Sequence, residues 1–234
     1  MNRVEIFVAE VPAATTEPPA RLLQGLSADD LARMRRYRHA RDRWLFAAAR
    51  ALLRHVLATR HGLPAPVFRR GAHGKPGLVG AGPDFNLSHT DGLVVCAFAN
   101  DGVVGVDCER IDRRTDPLAL TDHFFAPREQ ALLKVAADPA LAFTRLWTLK
   151  EAASKAVGLG LSLPLDDYAL ALDPPRLTKL PDALGPAAHW RFTEQAHGAA
   201  HCIAAAVRSS SRSEFVFEAI SLDDLNPPRW PATV

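Results

Sequence analysis

Two short segments carry acidic and basic side chains at spacings that could do chemistry. Residues 104–109 read VGVDCE, an apolar run that ends in acidic residues. Side chains alternate between the two faces of a strand, so Asp107 and Glu109 would share one face. A later segment reads WTLKEAASKA, in which Glu151 and Lys155 would lie one turn apart on a helix. If the strand end meets the helix, carboxylates and an ammonium converge at a site suited to a divalent cation and a phosphate-bearing substrate.

The chemistry of these side chains favours magnesium. Carboxylate oxygens suit Mg²⁺, which keeps several waters and shares its coordination shell with substrate phosphates. The shared face offers no histidine or thiol ligand, which argues against zinc. Each segment alone has an ordinary explanation, because an acidic pair on a strand is usually a solvated face and a Glu–Lys pair one turn apart is usually a surface ion pair worth ~0.2–0.5 kcal/mol. Their combination raises the expectation of a metal site.

Three further segments could bind an anion. Lys75 lies in a glycine-rich loop that lacks the P-loop pattern, and Ser88 and His89 stand at the end of a predicted strand. A turn with a solvated lysine, or with local hydroxyl hydrogen bonds, explains these two segments without any ligand. Residues 33–43 carry six arginines and one histidine, which favours either a basic surface for an anionic partner or a solvated helix face.

The overall composition is that of an ordinary globular protein. Of the 234 residues 48% are hydrophobic and 23% charged, and the net charge of +2 does not by itself favour nucleic-acid or membrane binding. Cys96, Cys108 and Cys202 lie in apolar runs without CxxC spacing, which predicts buried free thiols in a reducing compartment. The first ten residues do not read as a signal peptide, and no apolar run reaches the ~20 residues needed to span a bilayer. We therefore expect a cytoplasmic protein.

Hydrophobic periodicity and turn residues predict an α+β fold rather than a doubly wound sheet. Helices are predicted over residues 31–38, 40–60, 127–137 and 140–157. Strands are predicted over residues 4–11, 67–70, 85–88, 93–99, 103–108, 168–172, 190–193, 201–207 and 215–220. Asn-Asp-Gly at 100–102 predicts a hairpin between the strands on either side of it, and residues 71–83 are predicted to form a loop. A boundary between two halves is predicted near residues 111–116.

Taken in order, these motifs resemble those of the 4′-phosphopantetheinyl transferases of the Sfp type. The matching segments are residues 74–76 (GKP), 85–89 (FNLSH), 105–109 (GVDCE), 124–125 (FF), 147–155 (WTLKEAASK) and 160–165 (GLSLPL). The resemblance extends from about residue 33 to residue 172, and no motif after it matches.

The resemblance implies both a fold and a reaction. The fold is α+β, with two similar halves related by a pseudo-twofold axis, each a small antiparallel sheet packed on a long helix, and with the active site in the cleft between them. The halves would be residues 1–112 and 113–234. The protein would be a monomer that transfers the 4′-phosphopantetheine arm of coenzyme A to a serine of an apo acyl or peptidyl carrier protein. The transfer would depend on Mg²⁺ and release adenosine 3′,5′-bisphosphate.

Carried over position by position, the resemblance also implies site residues. Asp107, Glu109 and Glu151 would hold Mg²⁺, with Asp107 also beside coenzyme A. Glu151 would take the serine proton, directly or through a water, and Lys155 would contact the pyrophosphate and assist departure of the bisphosphate. The other contacts implied for coenzyme A are Arg43, Arg50, Lys75, Ser88 and His89.

The sequence leaves the acceptor and two alternative functions open. Carriers of fatty-acid, polyketide and nonribosomal peptide synthesis all present an acidic face beside their serine, so Arg113, Arg114 and Arg128 could steer any of them. One alternative is a module that binds coenzyme A or a carrier without turnover. The other is a nucleic-acid binder that uses the arginines of residues 33–43.

Overall fold

The computed structural model describes residues 1–13, 16–111, 121 and 124–228, which form a mixed helix and sheet fold. Its helices are Ala20–Leu23 (α1), Ala28–Arg35 (α2), Ala40–Thr59 (α3), Pro127–Val135 (α4) and Pro139–Val157 (α5). Its strands are Asn2–Glu10 (β1), Phe68–Arg70 (β2), Pro76–Leu78 (β3), Asp84–Thr90 (β4), Leu93–Ala99 (β5), Val103–Arg110 (β6), Ala169–Ala171 (β7), Arg176–Lys179 (β8), Trp190–His197 (β9), His201–Arg208 (β10) and Ser213–Ala219 (β11).

The first sheet is covered by the long helix α3. Its strand order is β11-β1-β5-β4. The helix is rich in alanine and leucine, which favour helix formation and leave a smooth apolar face. Leu52 and Leu53 of this face are fully buried in one cluster with Phe7 and Phe98 of the sheet. The sequence-based prediction of a long helix on a small sheet is confirmed for this part of the chain.

The second sheet is covered by the long helix α5. Its strand order is β6-β10-β9, and both pairs are antiparallel. At the start of the helix the Asp138 carboxylate accepts a hydrogen bond from Leu141 N, and proline occupies the first turn. The helix ends at Gly158, whose φ of 72° lies in the left-handed region that favours glycine. The predicted helix over residues 140–157 is thus confirmed, with its start one residue earlier.

The two sheets face each other through a layer of aliphatic side chains. Ile6 of β1, Val95 of β5, Val106 of β6 and Ile203 of β10 are fully buried in this layer. The layers therefore follow one another as α3, first sheet, second sheet and α5, so that each helix covers the outer face of its own sheet.

The three cysteines are buried and free, as predicted. Among the helices that the structure describes, none is both long and apolar enough to cross a membrane.

The pairing of β11 with β1 corrects the expectation of purely antiparallel sheets. The two strands run in the same direction, with Asn2 opposite Ser213 and Val8 opposite Ala219. The connection explains the direction, because β11 follows a strand of the second sheet and crosses to the edge of the first. No hairpin then forces it to run antiparallel to its neighbour.

Residues 100–102 do not form the predicted hairpin. β5 pairs with β1 and β4, whereas β6 pairs with β10 in the other sheet. Gly102 has a φ of 84°, and a Cβ on it would lie 2.2 Å from Arg208 O, so the turn directs the chain against the end of β10. The turn residues specify a local bend but not the strand that the following residues join.

The predicted loop at residues 71–83 was wrong in part, because it contains β3. Strand β8 was not predicted.

The predicted boundary between residues 112 and 113 lies outside the described residues. Each side of this boundary in the sequence contributes a strand to the sheet formed mainly by the other side. β6, which precedes the boundary, lies in the second sheet, and β11, which follows it, lies in the first.

Candidate active site

Strands β4 and β6 belong to different sheets but lie side by side, joined by side chains instead of a backbone ladder. Polar residues at every second position of β4 accept hydrogen bonds from backbone N–H groups of β6. The bonds run from Val104 N to Asp84 Oδ2 (2.7 Å), from Val106 N to Asn86 Oδ1 (3.0 Å) and from Cys108 N to Ser88 Oγ (3.4 Å). We call this set of three bonds the side-chain ladder. It fixes the register between the two sheets where the predicted site residues lie.

Asp107 lies at the end of this ladder and is almost completely buried, with 2% of its surface exposed. Its Oδ1 accepts a hydrogen bond from Ser88 Oγ (2.8 Å) and forms an ion pair with Lys155 Nζ. Its Oδ2 is buried and makes no hydrogen bond with any residue that the structure describes. A buried acceptor without a donor costs about 1–3 kcal/mol, more when it is charged, so Oδ2 is an oxygen that a cation would stabilise.

A glycine lets the helix reach the strand. Gly105 precedes Asp107 on the same face of β6, and a Cβ on it would lie 2.0 Å from Ala152 O and 2.4 Å from Ala156 N of α5. The helix backbone therefore lies directly on the strand, which brings the end of β6 and the face that carries Lys155 together. The predicted chemistry required this contact between the end of the strand and the helix.

The carboxylates of the cluster affect one another electrostatically. Burial and the negative charges of Asp107 and Glu151 together raise the pKa of Glu109 to about 7, against the opposing charge of Lys155. Burial also raises the pKa of Glu151, which Lys155 lowers and Asp107 raises. Burial would lower the pKa of Lys155, but the charge and hydrogen bond of Asp107 outweigh it and the net shift is upward. Three carboxylates share one ammonium here, an excess of negative charge that favours binding of a further cation.

The donor set of the cluster fits the predicted metal. Each ligand candidate is a carboxylate oxygen, the type that Mg²⁺ prefers. Across residues 1–13, 16–111, 121 and 124–228, no three carboxylate, imidazole or thiol groups are already arranged around a common metal position. Lys155 instead takes the Oδ1 of Asp107. The assignment of Asp107, Glu109 and Glu151 to Mg²⁺ stays a prediction, in which Asp107 would contribute its Oδ2 while Lys155 keeps Oδ1.

Ser88 and His89 adjoin the cluster from β4. Besides its bond to Asp107, Ser88 Oγ accepts a hydrogen bond from Lys155 Nζ at 3.2 Å. Desolvation and the charge of Lys155 lower the pKa of His89, whereas Asp42 at the start of α3 raises it. These two predicted contacts for coenzyme A therefore stand next to the predicted ligands of the metal.

The two arginines predicted to contact coenzyme A lie on α3 and already have partners. Arg43 pairs with Glu17 (2.6 Å) and donates to the carbonyl oxygen of Tyr37 (2.8 Å). Arg50 lies 3.4 Å from an oxygen of Asp30, and burial lowers its pKa.

Lys75 makes contacts that its sequence neighbourhood did not predict. It lies at the junction of β4, β6 and α5, where its Nζ donates to Asp84 Oδ2 (2.6 Å), to Val104 O (3.0 Å) and to Ala156 O (2.9 Å). A contact with coenzyme A stays a prediction, and it would require one of these bonds to break.

Sequence reasoning missed a buried ion pair beside the site. Lys150 Nζ lies 2.8 Å from Glu129 Oε2, and both side chains are fully buried. Lys150 also donates to the carbonyl oxygens of Leu165 and Tyr168, each at 2.6 Å, so the pair fastens α5 to the segment that follows it. A lysine next to Glu151 in an otherwise apolar helix segment was the available signal. Its partner could not be found without the fold.

A cavity of about 460 Å³ lies elsewhere, at the ends of β1 and β11. Its walls include Trp44, Ile220 and His197. It shares no lining residue with the carboxylate cluster.

Known proteins resemble this chain both in the segment that carries β6 and α5 and over most of its length. The sequence model of the 4′-phosphopantetheinyl transferase superfamily matches residues 103–206, from the start of β6 into β10. The 4′-phosphopantetheinyl transferase HetI of Nostoc sp. (strain PCC 7120) is 35% identical over 188 residues, which cover 76% of this chain and 79% of HetI. The chain belongs to the 4′-phosphopantetheinyl transferase superfamily.

Two further relatives agree with this assignment. The 4′-phosphopantetheinyl transferase Sfp of Bacillus subtilis (strain 168) is 31% identical over 180 residues, covering 73% of this transferase and 78% of Sfp. The putative 4′-phosphopantetheinyl transferase slr0495 of Synechocystis sp. (strain PCC 6803) is 34% identical over 177 residues, which cover 73% of this transferase and 72% of slr0495. A solved holo-[acyl-carrier-protein] synthase of Thermotoga maritima overlays on 48% of this transferase and 66% of the synthase, with a TM-score of 0.41 and 20% identity. The resemblance to the Sfp type found in the motifs is thus confirmed by relatives matched over most of the chain.

Proposed function

We propose that this transferase moves the 4′-phosphopantetheine arm of coenzyme A to a serine of an apo acyl or peptidyl carrier protein. The observation that supports this best is the buried Asp107, whose Oδ1 binds Lys155 and whose Oδ2 has no hydrogen-bond partner in the described part of the chain. A carboxylate that can bind a metal ion would, together with the lysine next to it, stabilise the negative charge of a pyrophosphate substrate. In the reaction the serine oxygen bonds to the phosphorus of the pantetheine arm, the pyrophosphate bond breaks, and adenosine 3′,5′-bisphosphate leaves.

The three carboxylates of the cluster would hold Mg²⁺. Asp107 and Glu109 would offer oxygens from β6, and Glu151 from α5. The bound ion would neutralise negative charge on the pyrophosphate. Because these carboxylates would be held by a strand and a helix, most of what the protein would contribute is position.

Glu151 and Lys155 would handle the proton and the leaving group. The raised pKa of Glu151 suits a carboxylate that accepts a proton from the carrier serine, directly or through a water. Lys155 keeps its charge, because its pKa is shifted upward, and it would stabilise the departing bisphosphate.

Coenzyme A would lie between the two layered halves of the fold, along the edge of β4. Ser88 and His89 would contact it beside the metal, and Arg43 and Arg50 would supply positive charge along α3. We further propose that the halves are related by a pseudo-twofold axis, since each contains a long helix on a small sheet. The predicted monomeric state and cytoplasmic location stay predictions.

The carrier would approach with its acidic face. Arg128 is exposed at the start of α4 and is available for this steering role. Arg113 and Arg114, predicted to share it, lie outside the described residues.

The decisive experiment mixes the protein with coenzyme A, Mg²⁺ and a panel of apo carrier proteins, and follows each carrier by mass spectrometry. We expect one carrier at least to gain the mass of one phosphopantetheine arm. EDTA should prevent this gain, and a carrier whose serine is replaced by alanine should show none. Folded protein that modifies no carrier in a broad panel, while still binding coenzyme A, would instead establish a binding module without turnover.

A further inference from the structure

Lys75 joins three elements that meet at the proposed site. The turn at residues 71–74 is held by hydrogen bonds from Gly71 N to Lys75 O (2.8 Å) and from Gly74 N to Gly71 O (2.9 Å), and it delivers the lysine to the inside of the fold. Only 15% of the side chain is exposed. Each of its three ammonium hydrogens has an acceptor, since Nζ donates to one oxygen on β4, one on β6 and one on α5.

The bond to α5 completes the end of that helix. The last carbonyl groups of a helix have no partner within it. Gly158 N accounts for two of them by donating to Ser154 O (3.0 Å) and to Lys155 O (3.2 Å). Lys75 accounts for Ala156 O, and a cation at this end is also favoured by the helix dipole. The contact therefore fixes the turn that carries Lys155.

The bonds to β4 and β6 reinforce the first rung of the side-chain ladder. Asp84 Oδ2 accepts both Lys75 Nζ (2.6 Å) and Val104 N (2.7 Å), and Val104 O accepts the same ammonium. Val104 lies three residues before Asp107 on β6. One ammonium thus couples the strand that carries Asp107 to the helix that carries Lys155.

The stem of Lys75 leaves little freedom for rearrangement. A Cβ on Gly158 would lie 3.2 Å from Lys75 Cβ and 3.3 Å from its Cδ. The glycine that ends the helix therefore packs against the lysine stem, and movement of one requires movement of the other.

We propose that Lys75 is a positioning residue of the transfer reaction, which ties β4, β6 and the end of α5 together and thereby holds Lys155 against Asp107. This inference rests on the proposed function for its kinetic consequence, and it differs from the role in binding coenzyme A that the motif resemblance implies. The hydrogen-bonding capacity of the ammonium is already used within the protein.

The test compares Lys75→Met with the wild type in steady-state transfer to a carrier protein. We expect kcat to fall by about 10- to 100-fold, because small misplacements of reacting groups cost this much, whereas KM for coenzyme A changes by less than about threefold. Lys75→Arg, which keeps a cation that can donate to the same oxygens, should recover part of kcat. Lys134→Met, at an exposed position of α4, is the matched control and should behave as the wild type.

Amide hydrogen exchange gives a second readout that needs no substrate. Exchange at residues 154–158 should accelerate in Lys75→Met and not in Lys134→Met. Should Lys75→Met fail to fold because Asp84 is left unpaired, the double variant Lys75→Met/Asp84→Asn removes that charge and is expected to show the same fast exchange and low kcat.

The opposite result would assign Lys75 to substrate. A rise of about tenfold or more in KM and Kd for coenzyme A, with kcat at saturation and exchange at residues 154–158 unchanged, overturns the proposal. If the wild type transfers no pantetheine arm, the proposed function is wrong. The exchange comparison then still decides whether Lys75 holds the end of the helix.

Discussion

Ser88 on β4 donates a hydrogen bond of 2.8 Å to the Oδ1 of Asp107 on β6, across a boundary between two sheets that share no backbone pairing there. The same hydroxyl accepts from Cys108 N (3.4 Å) and from Lys155 Nζ (3.2 Å). One hydroxyl therefore uses its donor and both acceptor positions to connect strand, strand and helix. The hydrogen bonds that join β4, β6 and α5 therefore involve Asp107 and Lys155, the same side chains that the proposed transfer reaction uses.

Ser88→Ala should destabilise the protein. Cys108 N–H and Asp107 Oδ1 would each lose a buried partner, which costs about 1–3 kcal/mol. Urea denaturation would measure the loss in the free energy of unfolding. Ser210→Ala, at an exposed position, is the control and should change it by less than about 0.5 kcal/mol. Equal stability of the two variants would show that the hydroxyl contributes nothing to the junction.

Gly105→Ala should separate α5 from β6. Its new Cβ would lie within 2.0–2.4 Å of helix backbone atoms, which cannot rotate away as a side chain does. We expect a loss on the order of 3 kcal/mol or more, by thermal or urea unfolding, together with loss of transfer. Gly77→Ala is the control because, its own chain neighbours apart, no described residue has a heavy atom within 4 Å of the added Cβ. A Gly105→Ala protein with wild-type stability would contradict the close approach of helix and strand.

Glu151→Gln should abolish transfer while coenzyme A still binds. Glutamine keeps the size of the side chain but cannot accept the serine proton or contribute charge to the metal. Removal of a general base costs ~10²- to 10⁴-fold, so single-turnover transfer followed by mass spectrometry should detect the loss. Glu214→Gln, on the exposed side of β11, should transfer normally. Retained turnover in Glu151→Gln would exclude this carboxylate from the mechanism.

Asp107→Asn should remove the response of the protein to Mg²⁺. In the wild type we expect added Mg²⁺ to raise the unfolding temperature, because a ligand at 100 times its Kd stabilises the folded state by about 2.7 kcal/mol. Asparagine offers one neutral oxygen and no charge. Differential scanning calorimetry with and without Mg²⁺, with Glu214→Gln as control, would measure the difference. An equal Mg²⁺ shift in Asp107→Asn would place the metal elsewhere.

His61 should make the protein less stable in mild acid. Its imidazole packs on Phe98 with ring centroids 4.9 Å apart, and among the described residues its buried Nε2 finds no hydrogen-bond partner. Burial lowers its pKa against the opposing charge of Glu5. A folded-state pKa below the unfolded value of about 6.5 means that this stability is present above pH 6.5 and lost as the pH falls through the folded value.

Urea unfolding between pH 5 and pH 8 would test this pH dependence. His61→Phe keeps a ring and removes the titration, so its free energy of unfolding should fall less on acidification than that of the wild type. His73→Gln, at an exposed position, should follow the wild type. Identical pH profiles for wild type and His61→Phe would show that His61 is not responsible.

The local elements of the site could be predicted from the sequence, but their partners could not. Alternation along β6 correctly predicted that Asp107 and Val106 lie on opposite faces of the strand. Gly158 was correctly predicted to end α5. These features depend on neighbours in the chain. The role of Lys75 depends on residues up to 81 positions away, and a glycine-lysine sequence looks the same whether its ammonium is solvated or enclosed.

The same distinction explains the wrong hairpin at residues 100–102. The turn itself is real, since Gly102 has the left-handed conformation that its sequence predicts. Which sheet receives the following strand is decided by the aliphatic layer and by the polar residues of β4. Alternating Asp84, Asn86 and Ser88 were a visible pattern, but only the neighbouring strand shows that they replace backbone partners.

The parallel pairing of β1 with β11 has a consequence for biosynthesis. β1 emerges from the ribosome about two hundred residues before the strand that covers its edge. Until then a strand as apolar as β1 has an unprotected side on which other chains can add. A nascent or truncated chain that lacks residues 213–219 should therefore aggregate more readily than the full chain.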